Sequence, residues 1–451
     1  MTLIFICLFQ AVFSEELMHA IVYGNTEELG YYYTSIYVGS PPVRQTVIVD
    51  TGSHLTAFPC EGCQSCGTHM DNYFDYKASS TSREVSCDEG ISCSTCQNNK
   101  CGYAQSYAEG SSLRGFLVED LVSIGNTSDH SVRHIFGCHN RETNLFRTQK
   151  ADGIMGLGYA RSKVRSIIDV LYEKHEINTD MFGICFGKKD GYMSIGGYNS
   201  SLHNYPLEWV NMYDNNFYSI KATDILLNEQ SLGLKESDFS HHYTSGTIID
   251  SGTTFTYLGS VVYDRLWTEF EDYCRGQKNC LGDQVSVPRE THRCYKFDSS
   301  QMSLEEFYRS FPVISFKIED LLVDWVPEYY LFAWPDHARS YCLGVYRNYR
   351  GNVLGGNFMR GMDVVIDRYA NKIGFAPSDC DPRLLPAEKT TTNYTHEIHI
   401  EETQPALSVV WFVIGAVLLL VLLSILLYKK LSKGTNILRE EVSEIESNSG
   451  I

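Results

Sequence analysis

Positive charge is scarce in this chain. Its 451 residues include 37 lysines and arginines against 55 acids, a net charge of −18. So few cations exclude nucleic acid as a partner and fit a chain soluble at mildly acidic pH. The first residues also lack the basic start of an ordinary leader. Yet residues 2–13 are almost all apolar and end near Val12-Phe13-Ser14, so 1–14 reads as a signal peptide. Residues 406–428 lack charge altogether and are long enough to span a bilayer as one helix. Lys429, Lys430 and Lys433 follow them, and Glu397, Glu401 and Glu402 precede. That asymmetry puts the tail, 429–451, in the cytosol and the body of the chain in the lumen or outside. The polar stretch 381–405 reads as a stalk. The C-terminus lacks a lumenal retrieval tetrapeptide, so the final organelle is not written there.

Cysteine is plentiful. Of 15, Cys7 leaves with the leader, and 14 remain for an oxidising compartment. Seven fall between 60 and 101: Cys60, Cys63, Cys66, Cys87, Cys93, Cys96 and Cys101. Their Cys-x2-Cys spacings fit zinc or disulfides, and the secretory context favours disulfides. Seven is odd, so one pairs outside the window, and Cys138 is the natural partner. Connectivity within the set stays open. Cys294 with Cys342 and Cys274 with Cys280 are candidate pairs, which leaves Cys185 and Cys380. Asn126, Asn199 and Asn393 head glycosylation triplets. No cofactor or metal is called for.

The length exceeds one ordinary core, and the 30 tyrosines and 22 phenylalanines suit strands. One stretch organises the rest. Val47-Ile48-Val49 reads as a buried strand running into Asp50-Thr51-Gly52-Ser53. A second copy, Thr247-Ile248-Ile249-Asp250-Ser251-Gly252-Thr253, follows 200 residues later. Gly156, closing Ile154-Met155-Gly156, lies 106 residues after Asp50. Gly355, closing Val353-Leu354-Gly355, lies 105 after Asp250. Matched spacing of this kind marks a duplicated lobe. Helical spacing appears at Ser162–His175, with Ser162 as N-cap, and again at Ser260–Cys274.

The paired Asp-Thr/Ser-Gly loops, each with a later apolar-apolar-Gly strand, resemble the pepsin-type aspartic proteases over about residues 30–380. The cysteine-rich insert, 60–101, resembles that of nepenthesin-type members. Phe58-Pro59-Cys60 through Met70, Tyr103 through Ser111, and His134 through His139 are similar to plasmepsin V-like proteases of malaria parasites. The resemblance implies a mostly β, bilobal acid-protease fold with the active site between two duplicated lobes, here with a C-terminal transmembrane helix. It divides the chain into a short N-terminal segment 15–29, an N-terminal lobe 30–201, a connection 202–216 and a C-terminal lobe 217–380. The longer basic prosegment usual in pepsin-type zymogens is not visible, so little autocatalytic activation is expected.

The same resemblance implies catalysis by Asp50 and Asp250 on an activated water. Thr51 and Ser251 would brace the loops, Ser53 and Thr253 would donate to the carboxylates, and Gly52 and Gly252 would let the backbone approach. Tyr107 and Gly110 would belong to a hairpin flap over the substrate. Ala57 stands where pepsins carry the tryptophan behind the flap tyrosine. Glu109 and Asp71 match acids that receive a substrate arginine three residues before the cut, which implies Arg-x-Leu-like sites. The expected protein is thus a monomeric, membrane-anchored endopeptidase acting on secretory polypeptides, with endoplasmic-reticulum residence favoured. A β-secretase-like or vacuolar protease of broader specificity is one alternative. A catalytically silent pepsin-fold binding protein is another, which the two intact loops disfavour.

Overall fold

The computed structural model describes residues 17–125, 130–159, 163–213, 216–240, 246–276, 280–286, 294–334 and 339–385. The leader 1–14, Asn126, Asn393, the stalk beyond Leu385, the apolar run 406–428 and the tail lie outside them. Among the described residues no helix is long and apolar enough to cross a membrane.

Strands dominate. Val43–Asp50, rich in β-branched residues, is buried from Gln45 to Asp50 and pairs antiparallel with Tyr31–Val38. On its other side Gly153–Gly156 runs parallel, with Gly156 opposite Asp50. Ala57–Pro59 returns antiparallel beyond it, with Ile154 opposite Ala57. The second half repeats this arrangement. Thr247–Ile249 pairs parallel with Val353–Leu354, and Thr256–Gly259 returns with Tyr257 opposite Val353. Asp50 therefore ends, and Asp250 directly follows, a central strand whose neighbours fix it on both sides.

The lobes share one base sheet, and here the boundaries expected from sequence shift. Met18–Asn25 is not a separate segment. It alternates buried and outward positions and pairs with both Gly191–Ile195 and Tyr31–Val38. Met362–Asp367, from the far end of the second lobe, pairs with Met181–Phe186. Lys372–Pro377 and then Glu208–Asn211, from the expected connection, extend the same sheet. Pairing these strands satisfies backbone groups that an isolated lobe would leave on open edges. Cys185 and Cys380 are bonded at one end of this sheet.

The first helix is shorter than its spacing suggests. It spans Ile167–Glu173 and starts at Ser166, whose hydroxyl accepts from Asp169 N while Asp169 accepts from Ser166 N. That capping box sets the start. Ser162 lies outside the described residues, and Val164 precedes the helix. Ser260–Gly276 forms the second helix.

All 14 remaining cysteines are disulfide-bonded. Cys60 joins Cys138, and within the insert Cys63 joins Cys66, Cys87 joins Cys96, and Cys93 joins Cys101. No thiolate is left there for a metal. Cys274 joins Cys280 and Cys294 joins Cys342.

Candidate active site

Asp50 and Asp250 meet where the two central strands end. Gly52 and Gly252 permit this. A Cβ on Gly52 would stand 2.6 Å from the Asp250 carboxylate oxygens, and one on Gly252 would overlap Asp50. Asp50 is buried, with Gly52 N donating to Oδ1 at 2.8 Å and the Ser53 hydroxyl donating to Oδ2. Asp250 accepts from Gly252 N at 2.9 Å and Thr253 Oγ1 at 2.7 Å. Burial pushes the Asp50 carboxyl well above the ordinary carboxylate range, and the facing Asp250 adds to the push. The Ser53 hydroxyl and Gly52 N–H oppose that rise without cancelling it. The site thus favours one proton shared by two carboxyls.

The loops are locked to each other. Ser251 Oγ accepts from Thr51 N, and Thr51 Oγ1 accepts from Ser251 N, both at 3.0 Å. Each hydroxyl then donates across the lobe boundary, Thr51 to Ile249 O at 3.0 Å and Ser251 to Val49 O at 2.8 Å. Both residues are buried, and these four bonds satisfy Thr51 N, Ser251 N, Ile249 O and Val49 O at the junction.

Lys100–Ser106 and Ser112–Ile124 form an antiparallel hairpin, the one expected from the sequence to act as the flap. Its turn closes with Tyr107 N donating to Ser111 O at 2.9 Å and Gly110 N to Tyr107 O at 3.1 Å. Gly110 has a φ of 94°, which only glycine adopts readily. The Tyr107 hydroxyl is in hydrogen-bond reach of Ser53, and burial, then the Asp50 charge, raise its pKa. Since Ser53 gives its proton to Asp50, the phenol donates to Ser53. Glu109 stands exposed on the turn.

Asp71 is not a free acid. Arg44 donates to its Oδ1 from Nε at 3.1 Å and Nη2 at 2.8 Å. Its own N–H donates to Asp152 Oδ1 at 2.9 Å. Burial pushes its carboxyl up to about 6, Arg44 opposing and Asp152 adding. Arg44 thus holds Oδ1, while Oδ2 is shut off from solvent and has no hydrogen-bond partner. Asn199 caps a short turn, its Oδ1 accepting from Ser201 N at 3.0 Å.

Several residues at the site carried no sequence signal. Phe146 packs on Tyr107 with ring centroids 4.9 Å apart. Asn144 donates to Gly110 O at 2.9 Å, and Leu145 N to Ser111 Oγ at 3.2 Å. Arg44 looked like an ordinary strand charge. None of the four stands in a motif, and chain folding alone brings them here.

Residues 31–378 match the family described as eukaryotic aspartyl protease. Aspartic protease 5 of Toxoplasma gondii is 30% identical over 398 residues, covering 81% of this chain and 38% of that protein. The chain therefore spans well under half of that relative's length. Plasmepsin V of Plasmodium falciparum (isolate 3D7) is 24% identical over 509 residues, covering 92% of this chain and 82% of the relative. Aspartic proteinase 39 of Arabidopsis thaliana is 27% identical over 386 residues, covering 79% and 76%. With both Asp-Thr/Ser-Gly loops facing each other across the lobes, the chain belongs to the eukaryotic aspartyl protease family.

Proposed function

We propose that this protein is a membrane-anchored aspartic endopeptidase of the secretory pathway, with Asp50 and Asp250 as its dyad. The observation that carries the reading is the approach of two carboxyls through Gly52 and Gly252 while Thr51 and Ser251 lock their loops. Asp50, buried and with its pKa raised, starts as the proton donor. Asp250, the more open of the two, takes a proton from a water held between them. That water attacks the peptide carbon, Asp50 gives its proton to the carbonyl oxygen, and the roles reverse as the amine leaves. Tyr107, tied to Ser53, places the flap over the scissile bond.

The anchor rests on the uncharged run 406–428 and the lysines after it. For specificity, Glu109 on the flap turn is the carboxylate for a substrate arginine three residues before the cut, in an Arg-x-Leu-like site. The Arg44–Asp71 pair favours a second reading, a protease of broader apolar preference, because it occupies the other acid.

Cleavage-site profiling of the purified full chain against a diverse peptide library, beside Asp50→Asn, tests both. The expected result is cleavage lost in the variant, with arginine enriched three residues before the cut. Apolar preferences alone would retire the arginine site. Cleavage that survives Asp50→Asn would sink the dyad.

A further inference from the structure

Beside the flap lies a buried polar cluster that the catalytic chemistry does not use. The side chains of His69, His139 and Glu142 are fully buried. His69 Nε2 lies 3.1 Å from Glu142 Oε2, and its Nδ1 lies 3.1 Å from Gln149 O. Gly67 N donates to the same Glu142 Oε2 at 2.8 Å. His139 Nε2 lies 3.4 Å from Glu142 Oε1, and His139 Nδ1 lies 2.9 Å from the Tyr103 hydroxyl.

The proton positions follow from the partners. Gln149 O is a carbonyl and only accepts. Glu142 Oε2 already takes the Gly67 N–H and carries no proton there. Both nitrogens of His69 therefore face acceptors, and only an imidazolium donates from both. His139 makes one ring hydrogen bond, at Nδ1 with the Tyr103 hydroxyl, and Nε2 has no bonded acceptor, so nothing calls for a second ring proton and it is neutral. Burial, first, and the His69 charge lower its pKa to about 3.

His69 thereby grips both ends of the segment Glu142–Gln149. That segment is the bed of the flap. Thr143 Oγ1 accepts from Ser112 N at 2.8 Å, Asn144 holds Gly110 O, Leu145 N reaches Ser111 Oγ, and Phe146 packs on Tyr107. A Cβ on Gly67 would overlap Arg147 O, so the insert lies directly on this bed.

We propose that protonated His69 is a positioning residue for the flap, clasping its bed to the cysteine-rich insert, and that loss of this proton loosens the flap. The inference rests on the aspartic-protease reading only in giving the flap a task. The groups facing His69 are Glu142, which raises its pKa, Asp152, which raises it further, neutral His139, and the Tyr73 ring 6.4 Å away. Burial opposes them and does not prevail. The folded pKa lies above the ordinary histidine value. The clasp is therefore complete below that ordinary value and is lost as pH rises through the raised one.

Hydrogen exchange of residues 104–116, corrected for intrinsic rate, should be followed from pH 5 to 8 in the full chain. Flap protection should fall about tenfold as pH rises, the worth of one charge-assisted bond. His69→Gln should remove the step, and Glu142→Gln should move it to lower pH. Should His69→Gln fail to fold, Glu142→Gln alone decides. kcat/KM of the native chain should fall over the same pH span. Asp50→Asn should keep the exchange step, so failure of the dyad reading and failure of the clasp are read separately. A step unmoved in either cluster variant, or a native flap with no step, would overturn the proposal.

Discussion

Tyr107 and Phe146 pack with ring centroids 4.9 Å apart, so the flap tyrosine is backed from the segment after Glu142 rather than from position 57. Ala57 is fully buried, and a Cβ on the neighbouring Gly153 would already overlap Ala57 O. Ala57 offers only a methyl group there. Phe146 supplies the ring, in the small core that also holds Ala57, Ile48, Tyr103, Leu113 and Ile154. Phe146→Ala should destabilise the protein by about 3 kcal/mol and cut kcat/KM at least about tenfold. Phe146→Leu should keep most of both. Urea unfolding and peptide-cleavage kinetics would measure them, and an Ala variant with native kinetics would refute the role given to this ring.

The pH dependence has a sign that Ser53 sets. Its hydroxyl stabilises ionised Asp50, so it lowers a carboxyl that burial and Asp250 raise. In the proposed mechanism the active dyad holds one proton. As pH climbs through the Asp50 value that proton is lost, and activity with it. Ser53→Ala removes the opposing bond, so the Asp50 value rises further. The alkaline limb of kcat/KM should move to higher pH, while kcat falls because Tyr107 also loses its partner. A limb that moves downward would contradict this placement of the proton.

Thr51 and Ser251 join the lobes through buried backbone groups, so the joint is unforgiving. In Thr51→Val, Ser251 N and Ile249 O lose their partner together. Two buried groups left unsatisfied cost about 2–6 kcal/mol. The urea midpoint should drop accordingly with the m-value unchanged. A Val variant as stable as the native chain would show that the hydroxyl carries no load.

What the sequence displayed follows from where its information is local. Val47-Ile48-Val49 and the Asp50 turn are one contiguous signal, and the second copy doubles it. Strand, turn and acid could be read together. The odd cysteine count in the insert pointed to Cys138 because pairing is arithmetic. Met18–Asn25 was harder. Its alternation is real, but short and flanked by a leader, and only the two strands beside it make it a strand. Arg44 and His69 were not legible. Each looks like a solvated side chain until folding brings Asp71, or Glu142 and Gln149, within bonding distance.

The proposed arginine selectivity should depend unequally on the two acids. Asp71 is bound by Arg44 and sits beside Asp152, whereas Glu109 is exposed on the hairpin turn. Glu109→Gln should reduce the preference for arginine over glutamine three residues before the cut by about tenfold or more, since a charge-assisted pair becomes a neutral one. Asp71→Asn should leave that preference within about twofold. Its effect on stability should stay within about 1 kcal/mol, because the Arg44 contact it weakens lies at the surface. Arg44→Gln adds a further test. Without the guanidinium, the Asp71 carboxyl rises above about 6 and becomes neutral over more of the acid range, so it gains no hold on a substrate cation. Competition assays with paired Arg and Gln peptides would separate these outcomes. Loss of selectivity in Asp71→Asn but not in Glu109→Gln would mean that substrate displaces Arg44, and the flap acid would then be a bystander.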